Sequence, residues 1–385
     1  MLLIRIMRQG LAGAGLWSFM GEANADYALN MTRGVTPLSH EIYDLHMLIL
    51  WVCCVIGVLV FGLMFWSILQ HRKSKGAVAA KFHHSTKAEI IWTLIPVLIL
   101  VAMAFPATKT LIRIEQAGDA DITIKVTGNQ WKWRYDYVNP GFGLDGGFGF
   151  FSVLKDDSNK ARQVGSGADP YTIEHYLLDV DQPLVVPVNT KIRFLTTAND
   201  VIHAWWVPAL GWKRDSIPGY INESWAIVQE PGTYRGQCAE LCGKDHGFMP
   251  IVVKAVTQDE YFDFVGEQMV AAASDAGGAD REWGKDELME KGGKVYGTFC
   301  AACHQANGQG VPPAFPALAG GAIATGPVDG HMDRVMNGKA DTAMAAFGPQ
   351  LSDVDLAAVI TYERNSFGNS TGDVVQPAAI RAARK

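Results

Sequence analysis

Positive charge is scarce in this sequence, with 33 Lys and Arg residues against 39 Asp and Glu and a net charge of −6. Because phosphate contacts need clustered Lys and Arg, this balance argues against a nucleic-acid-binding protein. Charged residues of either sign make up only 19% of the 385 residues, and hydrophobic residues make up 49%, which excludes a disordered chain. The length predicts two or three domains.

Cysteine is also scarce, and its six residues fall into three close pairs. The first pair, Cys53 and Cys54, lies inside an apolar run, where cysteines act as small apolar side chains. We assign no chemistry to this pair. The other pairs, Cys238 with Cys242 and Cys300 with Cys303, lie in polar sequence and are candidates for chemistry.

Charge is absent from Met47 to Leu69, a run of 23 residues that is long enough to cross the hydrocarbon core of a membrane. A second apolar run, from Ile90 to Ala107, contains Pro96 and Pro106, which a membrane helix tolerates when neighbouring helices support it. We predict two spans, at about 47–69 and 90–107. The alternative is a buried helix of a soluble core.

Basic residues are concentrated between the two runs, at positions 72, 73, 75, 81 and 87. The positive-inside rule therefore places this loop in the cytoplasm and both ends of the hairpin outside. At the N-terminus, Arg5 and Arg8 precede a short apolar stretch and the triplet Ala23-Asn24-Ala25, which together indicate a cleavable signal peptide over 1–25. We expect a protein of the bacterial inner membrane, with segment 26–112 holding the hairpin and with periplasmic termini.

Residues 120–264 change to the period-two pattern of β-strands. The stretch from Asp121 to Tyr137 alternates and places Trp131, Trp133, Tyr135 and Tyr137 on one face. Later runs read as further short strands between turn residues, which favours an all-β sandwich or barrel. A Gly-rich segment at about 139–170 interrupts the pattern, and we interpret it as a partly mobile surface insertion without assigned chemistry.

Candidate metal ligands are crowded into one loop of this domain. Cys238, Cys242, His246 and Met249 follow one another within twelve positions. Sulfur and imidazole donors select copper, zinc or an iron–sulfur centre, and the methionine favours copper. A disulfide between the cysteines and a zinc loop are the alternatives. His203, on an apolar strand, is either a second imidazole ligand or a buried core histidine.

Four separated segments carry a family resemblance: AEIIWTLIP, GNQWKWRYDY, HAWWVPALGWKRDSIPG and QCAELCGKDHGFMP. Together they resemble subunit II of the haem–copper cytochrome c oxidases, from about residue 36 to 256. The resemblance implies a cupredoxin-like Greek-key barrel with a dinuclear copper A centre. It implies that Cys238 and Cys242 bridge the coppers, that His203 and Met249 complete one, and that His246 and the Glu240 carbonyl complete the other.

The same resemblance implies three further roles. Trp131 would receive electrons from cytochrome c, although it could instead pair with Trp133 on the sheet surface. The Glu240 side chain would bind a magnesium ion shared with subunit I. Glu89, at the cytoplasmic start of the second span, would lie at the mouth of a proton channel, with a plain helix-end carboxylate as the alternative.

The motif Cys300-Ala-Ala-Cys303-His304 is typical of covalent haem c attachment, with His304 as an axial ligand. A thioredoxin-like redox pair is the alternative. The Cys300–His304 motif follows a small-residue linker at 265–283. We therefore predict a small all-α cytochrome c domain over 284–372 and a tail over 373–385. The second axial ligand is Met332, Met336 or Met344. We choose Met344, because it lies in a loop before a helix, whereas the other two have the spacing of packed helix residues.

These features predict a multidomain electron-transfer subunit of a respiratory cytochrome c oxidase. Electrons would pass from a cytochrome c donor through the haem c and the copper A centre to subunit I, where oxygen is reduced to water with proton pumping, and subunit III would complete the complex. No residue of this chain would carry out the oxygen chemistry. The alternatives are a copper A and haem c subunit of a nitrogen-oxide reductase, or a membrane-tethered electron carrier that works alone.

Overall fold

Two long apolar helices form a hairpin at the start of the described chain. The computed structural model describes residues 30–144, 146–163 and 165–384, and the predicted signal peptide lies outside them. Helix α1 comprises Pro37–Gln70 and α2 comprises Thr86–Ile114, with a 3-10 turn at Lys73–Lys75 between them. Both are long and apolar enough to cross a membrane, and their most apolar stretches are not buried within the chain. Both predicted spans lie inside these helices.

The helices extend beyond the predicted spans because their polar ends contact the β-domain. Thr36 caps α1 by accepting a hydrogen bond from the Ser39 amide, and its own hydroxyl donates to the Leu210 carbonyl at 3.0 Å. At the end of α2, the Arg113 carbonyl accepts a hydrogen bond from the Trp225 indole at 3.0 Å. The N-terminus of α1 and the C-terminus of α2 therefore lie at the same end of the hairpin, against the β-domain.

The middle domain consists of two five-stranded sheets. The strands are β1 Ile122–Asn129, β2 Lys132–Asn139, β3 Phe148–Ser152, β4 Leu184–Pro187, β5 Lys191–Ala198, β6 His203–Val207, β7 Trp212–Ser216, β8 Asn222–Ile227, β9 Gly232–Cys238 and β10 Pro250–Val256. The first sheet has the strand order β3-β2-β1-β5-β8 and the second the order β4-β10-β9-β6-β7. Neighbouring strands are antiparallel except for the parallel pairs β1 with β5 and β4 with β10.

Aromatic side chains fill the space between the sheets. Trp133, Tyr135 and Tyr137 share one face of β2, as the alternation predicts, and their side chains are fully buried. The Tyr137 hydroxyl also links the sheets, since it donates to the Val185 carbonyl of β4 at 2.6 Å. Trp131 instead lies in the turn before β2 and is half-buried.

The Gly-rich segment differs from the predicted surface insertion. It contains β3, which pairs with β2 and buries Phe148 and Phe150. It also contains a short helix, α3, at Asp156–Ala161 and a 3-10 turn at Pro170–Thr172. The alternating Phe-Gly-Phe sequence of β3 has the strand period, but the surrounding glycines obscure this period in the sequence.

The connection to the last domain also differs from the prediction. Helix α4, Gln258–Gly278, covers most of the segment that the sequence indicates as a linker. Its start is anchored, because Tyr261 and Val265 are buried in the core of the β-domain. Residues 271–273 are three consecutive alanines, and the propensity of Ala for helix outweighs the small-residue character of the segment.

The last domain is all-helical. It contains α5 Lys285–Phe299, α6 Ala301–His304, α7 Ala322–Thr325, α8 Val328–Asn337, α9 Asp353–Asn365 and α10 Pro377–Ala383. Its core lies between α5 and α9 and includes Leu288, Tyr296 and Ile360. The predicted tail belongs to this core, since Ile380 of α10 is fully buried in it. The predicted fold class, a helical hairpin with an all-β and an all-α domain, is confirmed.

The crossing of α5 and α9 requires a glycine. A Cβ atom at Gly292 would collide with the Ala358 carbonyl oxygen and the Tyr362 side chain. Gly292→Ala should therefore destabilise the helical domain by about 2 kcal/mol, which is typical of overpacking. Calorimetry of the full chain measures this change. Gly297→Ala is the matched control, since a Cβ there meets no atom within 4 Å and should stabilise the helix by about 0.5 kcal/mol. Equal melting temperatures for the two variants would contradict the packing argument.

Candidate metal centre and haem site

Strand pairing brings the candidate metal ligands to one end of the second sheet. His203 begins β6, and Cys238 ends the neighbouring strand β9. The loop after Cys238 carries Cys242, His246 and Met249 before the chain enters β10. Because β9 pairs with both β6 and β10, the two ends of this loop and His203 are held close together.

The donor atoms of these residues form a connected cluster. The sulfur atoms of Cys238 and Cys242 are 3.9 Å apart. His203 Nδ1 lies 3.9 Å from the Cys238 sulfur, while His246 Nδ1 and the Met249 sulfur each lie 3.5 Å from the Cys242 sulfur. The Glu240 carbonyl oxygen lies 3.4 Å from the Cys238 sulfur. Cys238 and Cys242 both carry free thiols in this structure.

The cluster has the donor chemistry that copper prefers. It combines two thiols, two imidazoles and a thioether, and soft ligands of this kind select copper over harder ions. His203, Cys238, Cys242 and Met249 are buried, so the site is shielded from water, while His246 is half-buried. Zinc would leave the thioether without a role.

Hydrogen bonds from neighbouring residues hold the cluster in place. Asp200 Oδ1 lies 2.9 Å from His203 Nε2, so the proton is on Nε2 and Nδ1 is directed to the sulfur atoms. The Cys242 carbonyl accepts hydrogen bonds from the Gln130 side chain at 2.8 Å and from the Trp131 indole at 3.1 Å. Gly128 allows the imidazole to approach β1, because a Cβ there would lie 2.7 Å from the His203 ring.

The surroundings also separate the pKa values of the two thiols. A hydrogen bond with Cys242 lowers the pKa of Cys238, and a further hydrogen bond with His203 acts in the same direction. The hydrogen bond with Cys238, together with burial, raises the pKa of Cys242. Burial opposes charge on His203, but its hydrogen bonds with Asp200 and Cys238 outweigh burial and raise its pKa.

The Gly-rich segment contacts the loop between β9 and β10, residues 239–249, which we call the metal loop. Arg162, next to α3, forms an ion pair with Asp245 at 3.3 Å, and its guanidinium lies 4.2 Å from the centre of the Phe248 ring. Both charged side chains are mostly buried, with 19% and 11% of their surfaces exposed. The segment therefore has a role at the site that the sequence did not indicate.

The haem-attachment motif lies at the corner between α5 and α6. Cys300 and His304 are buried, and Cys303 is half-buried. His304 Nδ1 lies 2.8 Å from the Pro316 carbonyl, which can only accept a hydrogen bond. Nδ1 therefore carries the proton, and Nε2 is free to bind a metal. Two thiols on one helical corner and an oriented imidazole fit a covalently attached haem c.

The candidate sixth ligands differ in burial. Met332 and Met336 lie in the core on the inner face of α8, whereas Met344 is half-buried in the loop that follows. This loop is tied to the end of α8, since the Lys339 amide donates to the Met344 carbonyl at 3.0 Å. Gly338 has a φ of +67°, and a Cβ there would collide with the same carbonyl. The loop thus has a defined path.

The two sites face each other across the boundary between the domains. Lys244 of the metal loop donates a hydrogen bond to the Ala302 carbonyl, between the two cysteines of the haem motif. Phe151 of β3 and Phe299 of α5 make an edge-to-face contact with ring centres 4.7 Å apart. Glu240 is exposed, and Glu89 lies exposed in the first turn of α2, apart from both sites.

Several residues at these sites were missed by the sequence analysis. Asp200 lies three positions before His203, so its acidic side chain near a candidate ligand could have been recognised. Arg162 and Asp245 are 83 positions apart, and neither residue type gives a local signal. Lys132 and Phe299 meet only because two domains meet, which no local pattern indicates.

Comparison with known families assigns all three parts of the chain. The family profile described as cytochrome c oxidase subunit II, periplasmic domain, matches residues 122–256, and the profile of its transmembrane domain matches 24–110. A third profile, described as cytochrome c oxidase, cbb3-type, subunit III, matches 287–362.

Individual proteins show the same similarity. The probable cytochrome c oxidase subunit 2 of Rickettsia prowazekii is 41% identical over 233 residues, which cover 60% of this chain and 69% of the relative. The cytochrome c oxidase subunit 2 of Cyanidium caldarium is 34% identical over 254 residues, covering 66% and 96%. The crystal structure of the periplasmic domain of cytochrome oxidase subunit II from Bradyrhizobium japonicum is 41% identical and covers 40% of this chain and 99% of that chain, with a TM-score of 0.34.

Arg162→Ala should destabilise the β-domain by about 2 kcal/mol, because it leaves the buried Asp245 carboxylate without its main partner. The melting transition of the β-domain in the full chain measures this. Lys160→Ala is the control, since the Lys160 and Asp156 side chains are 74% and 78% exposed and water screens their ion pair. Similar melting temperatures for both variants would show that Arg162 does not support the loop.

Proposed function

Because the chain belongs to the cytochrome c oxidase subunit II family and carries a fused cytochrome c domain, we propose that it passes electrons from a cytochrome c donor through its own haem c and a dinuclear copper centre to subunit I. It is a component of an oxidoreductase complex. Oxygen reduction and the coupled proton pumping would take place on subunit I.

One observation supports this electron path above the others. The haem motif and the metal loop are in direct contact, through the hydrogen bond from Lys244 to the Ala302 carbonyl. Trp131 lies beside this contact, since its ring is 5.5 Å from the Lys244 ammonium and its indole binds the Cys242 carbonyl. Trp131 would thus receive electrons from the fused domain.

The copper ligands follow from the cluster. Cys238 and Cys242 would bridge two copper ions, His203 and Met249 would complete one, and His246 with the Glu240 carbonyl the other. Such a pair of ions supplies one-electron transfer with little change in geometry, because both share the charge. The protein's part is to hold the donors still: strands fix both ends of the loop, and Asp200 fixes the His203 ring.

The haem ligands follow from the helical domain. Cys300 and Cys303 would attach the haem covalently, and His304 Nε2 and the Met344 sulfur would bind its iron. The bound haem supplies a one-electron carrier whose potential the methionine raises. The hydrogen bond between His304 Nδ1 and the Pro316 carbonyl keeps the imidazole in one orientation.

The hairpin supports an orientation with both termini in the periplasm. The start of α1 and the end of α2 contact the β-domain, so all three lie on one side of the membrane. The basic loop between the helices would lie in the cytoplasm. In this orientation the exposed Glu89, in the first turn of α2, is at the cytoplasmic side, where it would serve as the mouth of a proton channel.

The partners are the other oxidase subunits. Glu240 offers its carbonyl to the copper cluster, while its exposed side chain is free to bind a magnesium ion shared with subunit I. Subunit III would complete the complex, and a cytochrome c would donate electrons to the helical domain.

A matured chain should contain two coppers and one iron by elemental analysis, and Cys242→Ser should abolish the mixed-valence electron paramagnetic resonance (EPR) signal because it removes a bridge. Haem content should stay unchanged in this variant, since Cys242 lies in another domain. Cys54→Ser, in the membrane helix, is the control and should keep both metals. A mixed-valence signal that survives in Cys242→Ser would exclude this residue as a bridge.

Met344→Ala should open the sixth position of the haem iron and lower its potential by at least about 59 mV, a tenfold change in a one-electron equilibrium. Visible spectroscopy and redox titration measure both effects. Met336→Ala should instead keep the axial ligand but destabilise the buried core by about 3 kcal/mol. The opposite assignment of these two effects would show that Met336 is the ligand.

A further inference from the structure

A buried lysine lies where the β-domain meets the cytochrome domain. Lys132 is only 4% exposed, although its position in β2 places it on the outer face of the sheet. Its ammonium lies 4.5 Å from the centre of the Phe299 ring, which belongs to the cytochrome domain. It also lies 5.8 Å from the Phe151 ring of its own domain, and the two rings contact each other.

A second lysine repeats this arrangement on the metal loop. The Lys244 ammonium lies 5.5 Å from the Trp131 ring of its own domain and 5.8 Å from the Phe315 ring of the cytochrome domain. It also donates a hydrogen bond to the Ala302 carbonyl. Each lysine therefore joins an aromatic ring of one domain to an aromatic ring of the other.

Both contacts place an ammonium group against aromatic rings. A lysine is rarely buried without a specific partner, and a desolvated ammonium over an aromatic ring is among the stronger cation–π contacts. Burial lowers the pKa of Lys132, and the Asp200 carboxylate opposes this shift.

We propose that Lys132 and Lys244 form a lysine clasp that holds the cytochrome domain on the metal loop in one orientation. They are positioning residues for electron transfer between the haem c and the copper centre, and this inference rests on the proposed function. Helix α4 limits the positions that the cytochrome domain can take, and the clasp selects one of them.

The step that the clasp serves is a single electron transfer. With haem and copper bound, one electron would pass from the group held by Cys300, Cys303 and His304 to the group held by Cys238 and Cys242. No bond forms or breaks, and no other reactant is required. The rate of such a step falls steeply with the separation of the two centres, so the orientation of the domains controls it.

Pulsed EPR of the oxidised full chain, loaded with haem and copper and purified without other subunits, tests the clasp. Both centres are then paramagnetic, and the distribution of distances between them reports the orientation of the domains. We expect one narrow distribution for the unsubstituted chain. In the double variant Lys132→Met, Lys244→Met, the undocked fraction should rise about tenfold, equivalent to about 1.4 kcal/mol of lost docking free energy.

Electron transfer after flash reduction of the haem gives a second measurement, and the double variant should transfer more slowly. Lys132→Arg keeps a cation over Phe299 and, with Lys244 intact, should have the same narrow distance distribution as the unsubstituted chain. Phe299→Leu removes the partner ring of Lys132 while leaving both lysines in place, and it should raise the undocked fraction. Lys254→Met, at an exposed lysine of β10, is the matched control.

The outcomes separate this inference from the proposed function. A double variant with an unchanged narrow distribution and an unchanged transfer rate would overturn the clasp. A broad distribution in the unsubstituted chain would also overturn it, while transfer to copper would leave the proposed function standing. Absence of copper or of haem from the unsubstituted chain would instead refute the proposed function.

Discussion

The pairing of β9 with both β6 and β10 determines where the soft donor atoms of this protein meet. Trp205 pairs with Cys238, and Pro250 pairs with Gln237. These two registers fix His203 and both ends of the metal loop before any ion is present. The hydrogen bonds that the Cys242 carbonyl accepts, and the hydrogen bond that His203 donates to Asp200, then restrict the remaining freedom. A site built in this way needs little rearrangement when its charge changes, which suits the proposed electron transfer.

The sequence predicted those features that depend on local pattern. The lengths of the apolar runs predicted two helices, the period of β2 predicted that Trp133 and Tyr135 share one face, and the spacing of Cys238 and Cys242 indicated a metal loop. The residues themselves left His203 open as a second ligand or a core histidine, because its 35-residue separation from Cys238 gives no local signal, and the family resemblance favoured the ligand. The structure brings it next to the loop through strand pairing.

The features that the sequence did not predict depend on distant or competing interactions. The glycines around β3 obscured its strand period, and the helix propensity of α4 outweighed its linker-like composition. Lys132 shows the same limit at the level of domains. Period-two alternation correctly places it on the outer face of its sheet, but a second domain covers that face, and an alternating pattern contains no information about such a neighbour.

Helix α4 gives the fusion of the two domains a stiffness that a flexible tether would lack. It begins in the core of the β-domain at Tyr261, and the short connection after it is tied back by the hydrogen bond from the Trp283 indole to the Gly278 carbonyl at 2.7 Å. Since an α-helix turns by about 100° for each residue, the length of α4 also sets an angle. Deleting one residue from its exposed half would swing the haem-bearing corner around the helix axis, so changes in the length of this arm are tolerable only in steps close to whole turns.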